Sequence, residues 1–292
     1  MRMGDDPISV REMTATAAGL AYREVLPQGT PVGTLLCLHG YPESSHMWRA
    51  VLPAAARAGW RAVAPDLPGY GDSPLDGQPG SWESHLEAVS RFHAELDLGP
   101  VVLCVHDWGG LIGMRWACDH PEHVRALIVS AAGFFAFGKW HGLAQAMRTP
   151  GQGEELMAGM TRDGFAAMLA SVSRMDDDAI AASWKAYDGE ERRAAHLALY
   201  RSGDFEKLEP YRGRLAALGV PALLVWGAED PMAPVKSGRV LRDELPGARL
   251  VVLEDEGHFV FDDAPALTAG IVAGFLDEVA GQAAASGGSP AG

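Results

Sequence analysis

Three side chains able to share one piece of chemistry stand far apart in the chain: Asp107, Asp230 and His258. A carboxylate has an unperturbed pKa of about 3.9, so at neutral pH it is ionised and attacks an electrophile without first losing a proton. An imidazole titrates near neutrality and can take a proton from water, while a second carboxylate orients it and stabilises its charged form. Each of the three residues follows a run that reads as a buried strand. Val101 to Val105 is apolar and stops at His106-Asp107, and Gly109-Gly110 then opens a helical pattern over Leu111 to Cys118. Pro221 to Trp226 leads through Gly227 to Asp230, and Arg249 to Glu254 leads to Gly257-His258-Phe259. Continuous apolar runs mark parallel strands covered on both faces. The carboxyl ends of such strands share one sheet edge, where ligands bind, so the three side chains can meet there. Asp107 has a plainer reading as the N-cap of the following helix, a position Asp favours.

The elements needed to build that edge are legible along the chain. Residues 8–25 alternate as an opening antiparallel hairpin would. Thr34 to Leu38 is a strand running into His39-Gly40-Tyr41-Pro42, and a helical pattern follows over His46 to Ala58, interrupted by Pro53. Arg61 to Pro65 is a further strand, ending in the turn-rich loop Asp66 to Ser73. An amphipathic helix over Ser84 to Leu96 precedes the Asp107 strand, and Val124 to Ser130 is the strand after it. This alternation implies a mostly parallel sheet flanked by helices. It breaks after Ala132, where Met, Ala, charged and aromatic residues read as helical to about Arg212. The expected organisation is therefore a core over 1–132, an inserted helical lid over 133–212 and a second core part over 213–280. The second part carries helices near Val235 to Leu245 and Ala264 to Ala280. The Gly/Ala/Ser/Pro tail, 281–292, is expected to be disordered.

With 292 residues and a formal net charge of −14, the chain lacks the basic balance that phosphate binding needs, which argues against nucleic acid and anionic membrane surfaces as partners. Met1 to Ser9 has no apolar signal region, and no apolar run reaches a membrane span. Cys37, Cys104 and Cys118 lie inside apolar patterns without metal-ligand spacing, as reduced core thiols of a cytoplasmic protein would. No metal or cofactor is expected, and the state is expected to be monomer or homodimer.

Taken together, His39-Gly40-Tyr41-Pro42, the Asp66–Ser73 loop, His106-Asp107-Trp108-Gly109-Gly110, Trp226-Gly227 with Asp230, and Gly257-His258-Phe259 resemble an α/β-hydrolase. The order nucleophile, acid, histidine is that of the fold, and Asp107 occupies the slot that Ser fills in the Gly-x-Ser-x-Gly elbow. The chain is similar to the group of epoxide hydrolases and haloalkane dehalogenases, whose nucleophile is Asp. The resemblance implies an eight-stranded α/β-hydrolase sheet with a helical lid, and an alkyl ester on Asp107 that a His258-activated water cleaves. It further implies Asp230 rather than Glu229 as the acid, from Trp-Gly-x-x-Asp, backbone N–H groups of Tyr41 and Trp108 as the oxyanion hole, and a cis peptide before Pro42. An ordinary Ser esterase has no Ser at the elbow. A catalytically silent binding module has no need of all three residues.

The leaving group divides the resemblance. An epoxide oxygen needs an acid, supplied in epoxide hydrolases by lid tyrosines, whereas a halide needs only N–H dipoles. Tyr200-Arg201 resembles the lid Tyr-Arg of epoxide hydrolases, and Tyr41-Pro42-Glu43 resembles their His-Gly-x-Pro-Glu. The chain departs from them in having no tyrosine over Gly133 to Lys185 and in carrying Val105 where the elbow usually has Gly. Tyr187, Trp140, His141 or Trp184 are the candidates for the second donor, and His39 is a further pocket candidate. Fluoroacetate dehalogenases clamp a carboxylate with arginines after the nucleophile, but here Trp108 takes the first such place and only Arg115 lies near. The expected partners are a small neutral hydrophobic substrate and water. The expected reaction is epoxide hydrolysis, with haloalkane dehalogenation as the alternative.

Overall fold

A computed structural model of the chain describes residues 11–287; residues 8–10 of the expected hairpin lie outside them. Eight strands form one sheet: β1 Arg11–Ala17, β2 Leu20–Leu26, β3 Thr34–Leu38, β4 Arg61–Pro65, β5 Val101–His106, β6 Val124–Ser130, β7 Ala222–Gly227 and β8 Arg249–Leu253. Their spatial order is β1-β2-β4-β3-β5-β6-β7-β8. The β1–β2 hairpin enters antiparallel, and every pair from β4 onward is parallel. Strands β3, β5 and β7 are buried along their whole length, which is why they read as unbroken apolar runs. β3 and β5 pair in step, with Leu38 opposite Val105. That register sets His39-Gly40-Tyr41 beside His106-Asp107.

Side chains alternate across the strands and build a core on each face. Leu36, Leu38, Leu103 and Val105 pack with Trp82, Phe92 and Ile112 on one side. Leu35, Cys37, Val102 and Cys104 pack with Leu52, Val272 and Leu276 on the other. The first side is covered by α2 Trp82–Glu95 and α3 Asp107–Asp119, the second by α1 Val51–Arg57 and the C-terminal helix. The helical pattern expected over His46 to Ala58 is two pieces, a 3₁₀ turn at Ser45–Trp48 and then α1. Pro53 is the third residue of α1, where no intrahelical N–H is yet required, so the break falls before the proline rather than at it.

Between β6 and β7 the chain is helical: α4 Gly142–Arg148, α5 Gln152–Gly159, α6 Arg162–Ala170, α7 Asp177–Trp184, α8 Glu190–Ser202 and the short α9 Arg214–Ala217. α8 comes down on the core beside α2, and a Cβ at Gly80 would stand 2.6 Å from Ala195 Cβ, so the glycine permits that approach. α10 Val235–Glu244, α11 Val260–Asp263 and α12 Pro265–Gly287 complete the fold. α12 corrects the expectation of a disordered tail over 281–287: the Gln282 and Ala283 to Ala285 stretch continues the helix, as its high helix propensity favours. Residues 288–292 lie outside the described ones. Among the described residues no helix is long and apolar enough to cross a membrane.

Candidate active site

Asp107 sits on a corner that few side chains adopt. It is the last step out of β5 and the first residue of α3, and its φ is +48°, in the left-handed region. The turn closes because its neighbours are glycines. A Cβ on Gly40 would meet Asp107 Cβ at 2.5 Å, and one on Gly109 would meet the carbonyl oxygens of Leu38 and His39 at 2.4 Å. The first turn of α3 therefore presses directly on the end of β3. The Tyr41 N–H donates to Asp107 Oδ1 at 2.9 Å, and the Tyr41-Pro42 peptide is cis. Asp107 Oδ2 lies on the other side, 3.6 Å from His258 Nε2.

The loops after β7 and β8 bring in the other two residues. They touch so closely that a Cβ on Gly227 would stand 2.0 Å from the Gly257 carbonyl oxygen. Asp230 Oδ1 accepts the Met232 and Ala233 N–H groups, each at 2.8 Å, and Oδ2 accepts His258 Nδ1–H at 2.9 Å. With Nδ1 so engaged, Nε2 is the nitrogen turned toward Asp107. Burial pushes the Asp107 carboxyl up, but the His258 imidazolium outweighs it, with help from the Tyr41 N–H, and holds it at about 2. Burial likewise pushes His258 down, and the Asp230 and Asp107 carboxylates outweigh it, raising the imidazole to about 10. Asp107, His258 and Asp230 thus form one line of alternating charge at the carboxyl edge of the sheet.

Behind this line lies a buried set that the spacing of residues does not announce. The His106 ring stands 4.9 Å from the His258 ring, and its Nε2 is 3.4 Å from Glu43 Oε2. Burial and then the His258 charge lower His106 to about 3, and burial with the Asp262 charge raises Glu43 well above the carboxylate range. Both shifts favour the uncharged forms, an imidazole beside a carboxylic acid. Asp262 in turn is bonded to Arg49. Only Glu43 and His106 carried a signal, as parts of the quoted motifs.

The remaining candidates separate clearly. Tyr200, on α8, is buried, with its ring 5.2 Å from the Tyr41 ring and 5.3 Å from that of Trp108. Burial first, and then the Asp107 carboxylate, raise its phenol well above the usual value, so it stays protonated. Tyr187 reaches the same cluster from the insertion, and its hydroxyl pairs with the Tyr41 hydroxyl. His141 lines the cavity at Asp107, a space of about 110 Å³ bounded by Leu111, Phe135, Trp140, Phe205 and Met232. Its Nδ1 also accepts the Ala144 N–H at 3.4 Å as the cap of α4.

Three candidates have other employment. Trp140 stacks on Trp108 at 5.2 Å, but its indole N–H donates to the Gly203 carbonyl at 3.0 Å and is not free for a ligand. Trp184 stacks on Tyr187 at 5.3 Å and packs Phe165 rather than the Asp107 cavity. His39 is fully buried; its Nε2 accepts the Leu67 N–H at 2.9 Å and its Nδ1–H donates to the Gly40 carbonyl at 2.8 Å, so both nitrogens hold loops together. The bias of these residues toward ligand contact read from their types gave way to packing and backbone bonds, which sequence neighbours do not reveal.

Similarity to known proteins bears on the family and the fold. The family model described as alpha/beta hydrolase fold matches residues 33–265. A haloalkane dehalogenase of Mycobacterium marinum is 30% identical over 246 residues, covering 79% of this chain and 80% of that protein. Among solved structures, a loop variant of a haloalkane dehalogenase from Bradyrhizobium elkanii superposes with a TM-score of 0.81 at 23% identity, covering 95% of this chain and 100% of that one. An epoxide hydrolase from Vigna radiata superposes with a TM-score of 0.73 at 21% identity, covering 94% and 100%. The chain belongs to the alpha/beta hydrolase fold family, is related within it to haloalkane dehalogenases, and is an enzyme of hydrolase type.

Proposed function

We propose that the protein hydrolyses a small, largely apolar substrate at a saturated carbon, by way of an alkyl ester on Asp107. The observation that carries this reading is the continuous line Asp107–His258–Asp230, with one Asp107 oxygen pinned by an N–H and the other turned to the imidazole. Oδ2 forms the bond to carbon as the bond to the leaving group breaks. Esterification removes the Asp107 charge, and with it one of the two carboxylates that hold the proton on His258. The imidazole pKa falls, and the neutral ring can then take a proton from water attacking Cγ of the ester. The negative charge that develops on Oδ1 is met by the Tyr41 N–H already bonded there and by the Trp108 N–H at the head of α3.

The leaving group we favour is an epoxide oxygen, giving a vicinal diol. Opening the ring puts charge on that oxygen, and Tyr200 is a buried, protonated phenol under the influence of the Asp107 carboxylate. Its proton passes to the alkoxide and is restored by the one that His258 releases once Asp107 is esterified. The proton taken from water restores the imidazolium, and the hydroxyl added at Cγ gives its proton to the departing alkoxide, so epoxide plus water balances to diol. A second reading, halide release from a haloalkane, draws support from the buried Trp108 indole N–H, whose neighbour among the described residues is the Tyr200 side chain, and from the dehalogenase relative. Its weakness is the engaged indole of Trp140.

Incubation with 1,2-epoxybutane and with 1-bromobutane separates the two. Diol without bromide is expected, and Tyr200→Phe should slow epoxide opening by roughly 10²–10⁴-fold. Bromide without diol would replace the epoxide by a halide as leaving group. Turnover of neither substrate, together with no covalent adduct, would remove the alkyl-ester reading altogether.

A further inference from the structure

The cavity at Asp107, about 110 Å³, is smaller than the cavity of about 150 Å³ that suffices for one benzene. It has room for the reacting head of a substrate and not for a ring attached to it. A second cavity, about 200 Å³, lies next to it between the chain after β6 and α9, walled by Phe134, Leu208, Tyr211, Leu215 and Ala216. Among the described residues Phe135 is the one that lines both. Its ring is folded back over Gly133, where a Cβ would meet it at 2.4 Å, and it stacks at 4.5 Å and 10° on Phe137, itself 66% exposed. Phe135 thus borders both spaces. It lies over a backbone position kept bare by glycine, with a second ring at the solvent side.

Building on the proposed reaction at Asp107, we propose that the outer cavity is a tail subsite: it takes an aryl group or an alkyl chain of about six carbons while the reactive carbon sits at Asp107, and Phe135 is the partition such a substrate displaces. The substrates favoured are two-part molecules, a small epoxide or halide head joined by a flexible link to an apolar tail. The walls fit this role. Apolar side chains line most of the space, and of the three charged residues bordering it Glu209 and Arg212 compensate each other, leaving Glu244.

The test fills the outer cavity from α9 with Ala216→Trp, and with Ala216→Leu as a milder filling, each first checked for an unchanged melting transition. Binding of 4-phenylbutan-1-ol, an unreactive two-part probe, is measured by titration calorimetry. The subsite requires that the probe bind the natural chain and that Ala216→Trp weaken it by about tenfold or more, since the phenyl ring loses its buried surface. Undiminished binding, or no binding to the natural chain, overturns the subsite. Turnover gives the second arm. The rates with 1,2-epoxybutane and 1-bromobutane should be unchanged by the substitution, while kcat/KM for 4-phenyl-1,2-epoxybutane or 4-phenyl-1-bromobutane falls. If none of the four is turned over, the reaction at Asp107 is wrong, and the calorimetry still decides the subsite.

Discussion

The charge on Asp107 decides how firmly His258 holds its proton, because two carboxylates face that imidazole and only Asp230 keeps its charge throughout the proposed cycle. Asp107→Asn imitates the esterified state in charge. In that variant the His258 imidazole should titrate clearly below the value of about 10 that it has beside the carboxylate, read from its ring ¹⁵N shifts. An unchanged titration would mean that Asp230 alone sets the basicity. The same pair makes a stability prediction whose sign follows from linkage. Asp107, lowered to about 2, contributes stability above its unfolded value of about 3.9 and loses it as the pH falls toward 2. His258, raised to about 10, contributes below its unfolded value of about 6.5 and loses that as the pH rises through 10. The stability gap between the natural chain and Asp107→Asn, from urea unfolding, should be widest between about pH 4 and 6.5 and narrow on both sides. At the same scale, His258→Gln should still be alkylated but not deacylated. Intact-mass spectrometry with a good substrate should then find a lasting adduct of substrate mass, and turnover should fall by roughly 10²–10⁴-fold. Finding no adduct in a folded variant would count against the covalent route.

One element interface governs the corner on which Asp107 stands. The first turn of α3 lies against the carbonyls at the end of β3, and Gly109 is the point of contact. Gly109→Ala puts a methyl group 2.4 Å from two backbone oxygens that cannot rotate away, so α3 or β3 must shift. The expected cost is about 1–3 kcal/mol in urea unfolding, and activity should fall with it because the shift moves Asp107 from Tyr41 and His258. Gly274→Ala, where an added Cβ meets nothing within 4 Å, is the matched control and should not destabilise. The same interface explains what could be read from the chain in advance. Strands β3, β4 and β6 were legible to the residue because burial on both faces leaves an uninterrupted apolar run, and the glycines and His-Asp pair marked where such runs end. The strand ends narrowed the candidates to short loops, within which acidic neighbours such as Glu229 beside Asp230 were separated only by the resemblance. What was not legible depends on contacts between distant segments. Tyr187 meets Tyr41 across 146 positions, and Trp140 gives its N–H to a carbonyl 63 residues away. No periodicity encodes either pairing. Helix boundaries in the insertion were equally hidden, because its helices are short and cut by turns rather than by a sustained apolar stripe.

Across the whole molecule, several side chains tie the insertion to the core, and one guanidinium among them grips four carbonyls. Arg192, near the start of α8, donates from Nη1 to the carbonyls of Gly69, Gly71 and Lys185 at 3.0–3.1 Å, and from Nη2 to that of Ser73 at 3.0 Å. The loop it grips is itself stiff. Asp66 Oδ1 accepts the Ser45 N–H at 2.7 Å and Oδ2 the Asp72 N–H at 2.8 Å, and the bare backbone of Gly71 lies against that carboxyl group. Lys185–Asp72 bridges the same two segments, but as an exposed ion pair it adds little. Tyr200, Tyr187 and His196 are carried to Tyr41 by the insertion that Arg192 anchors, so loosening the anchor should act on the site from a distance. Arg192→Met keeps the aliphatic stem and removes only the donors. The loss should be about 1–3 kcal/mol in global unfolding. Amide exchange should rise selectively in α8 and the 66–73 loop, while β5 and β6, buried at the centre of the sheet, keep their protection. Hydrogen-exchange mass spectrometry resolves these segments separately. Uniform acceleration over the sheet would show Arg192 to be a general stabiliser of the fold, and unchanged exchange in α8 would show that the aromatic cluster at Tyr41 holds the insertion down without it.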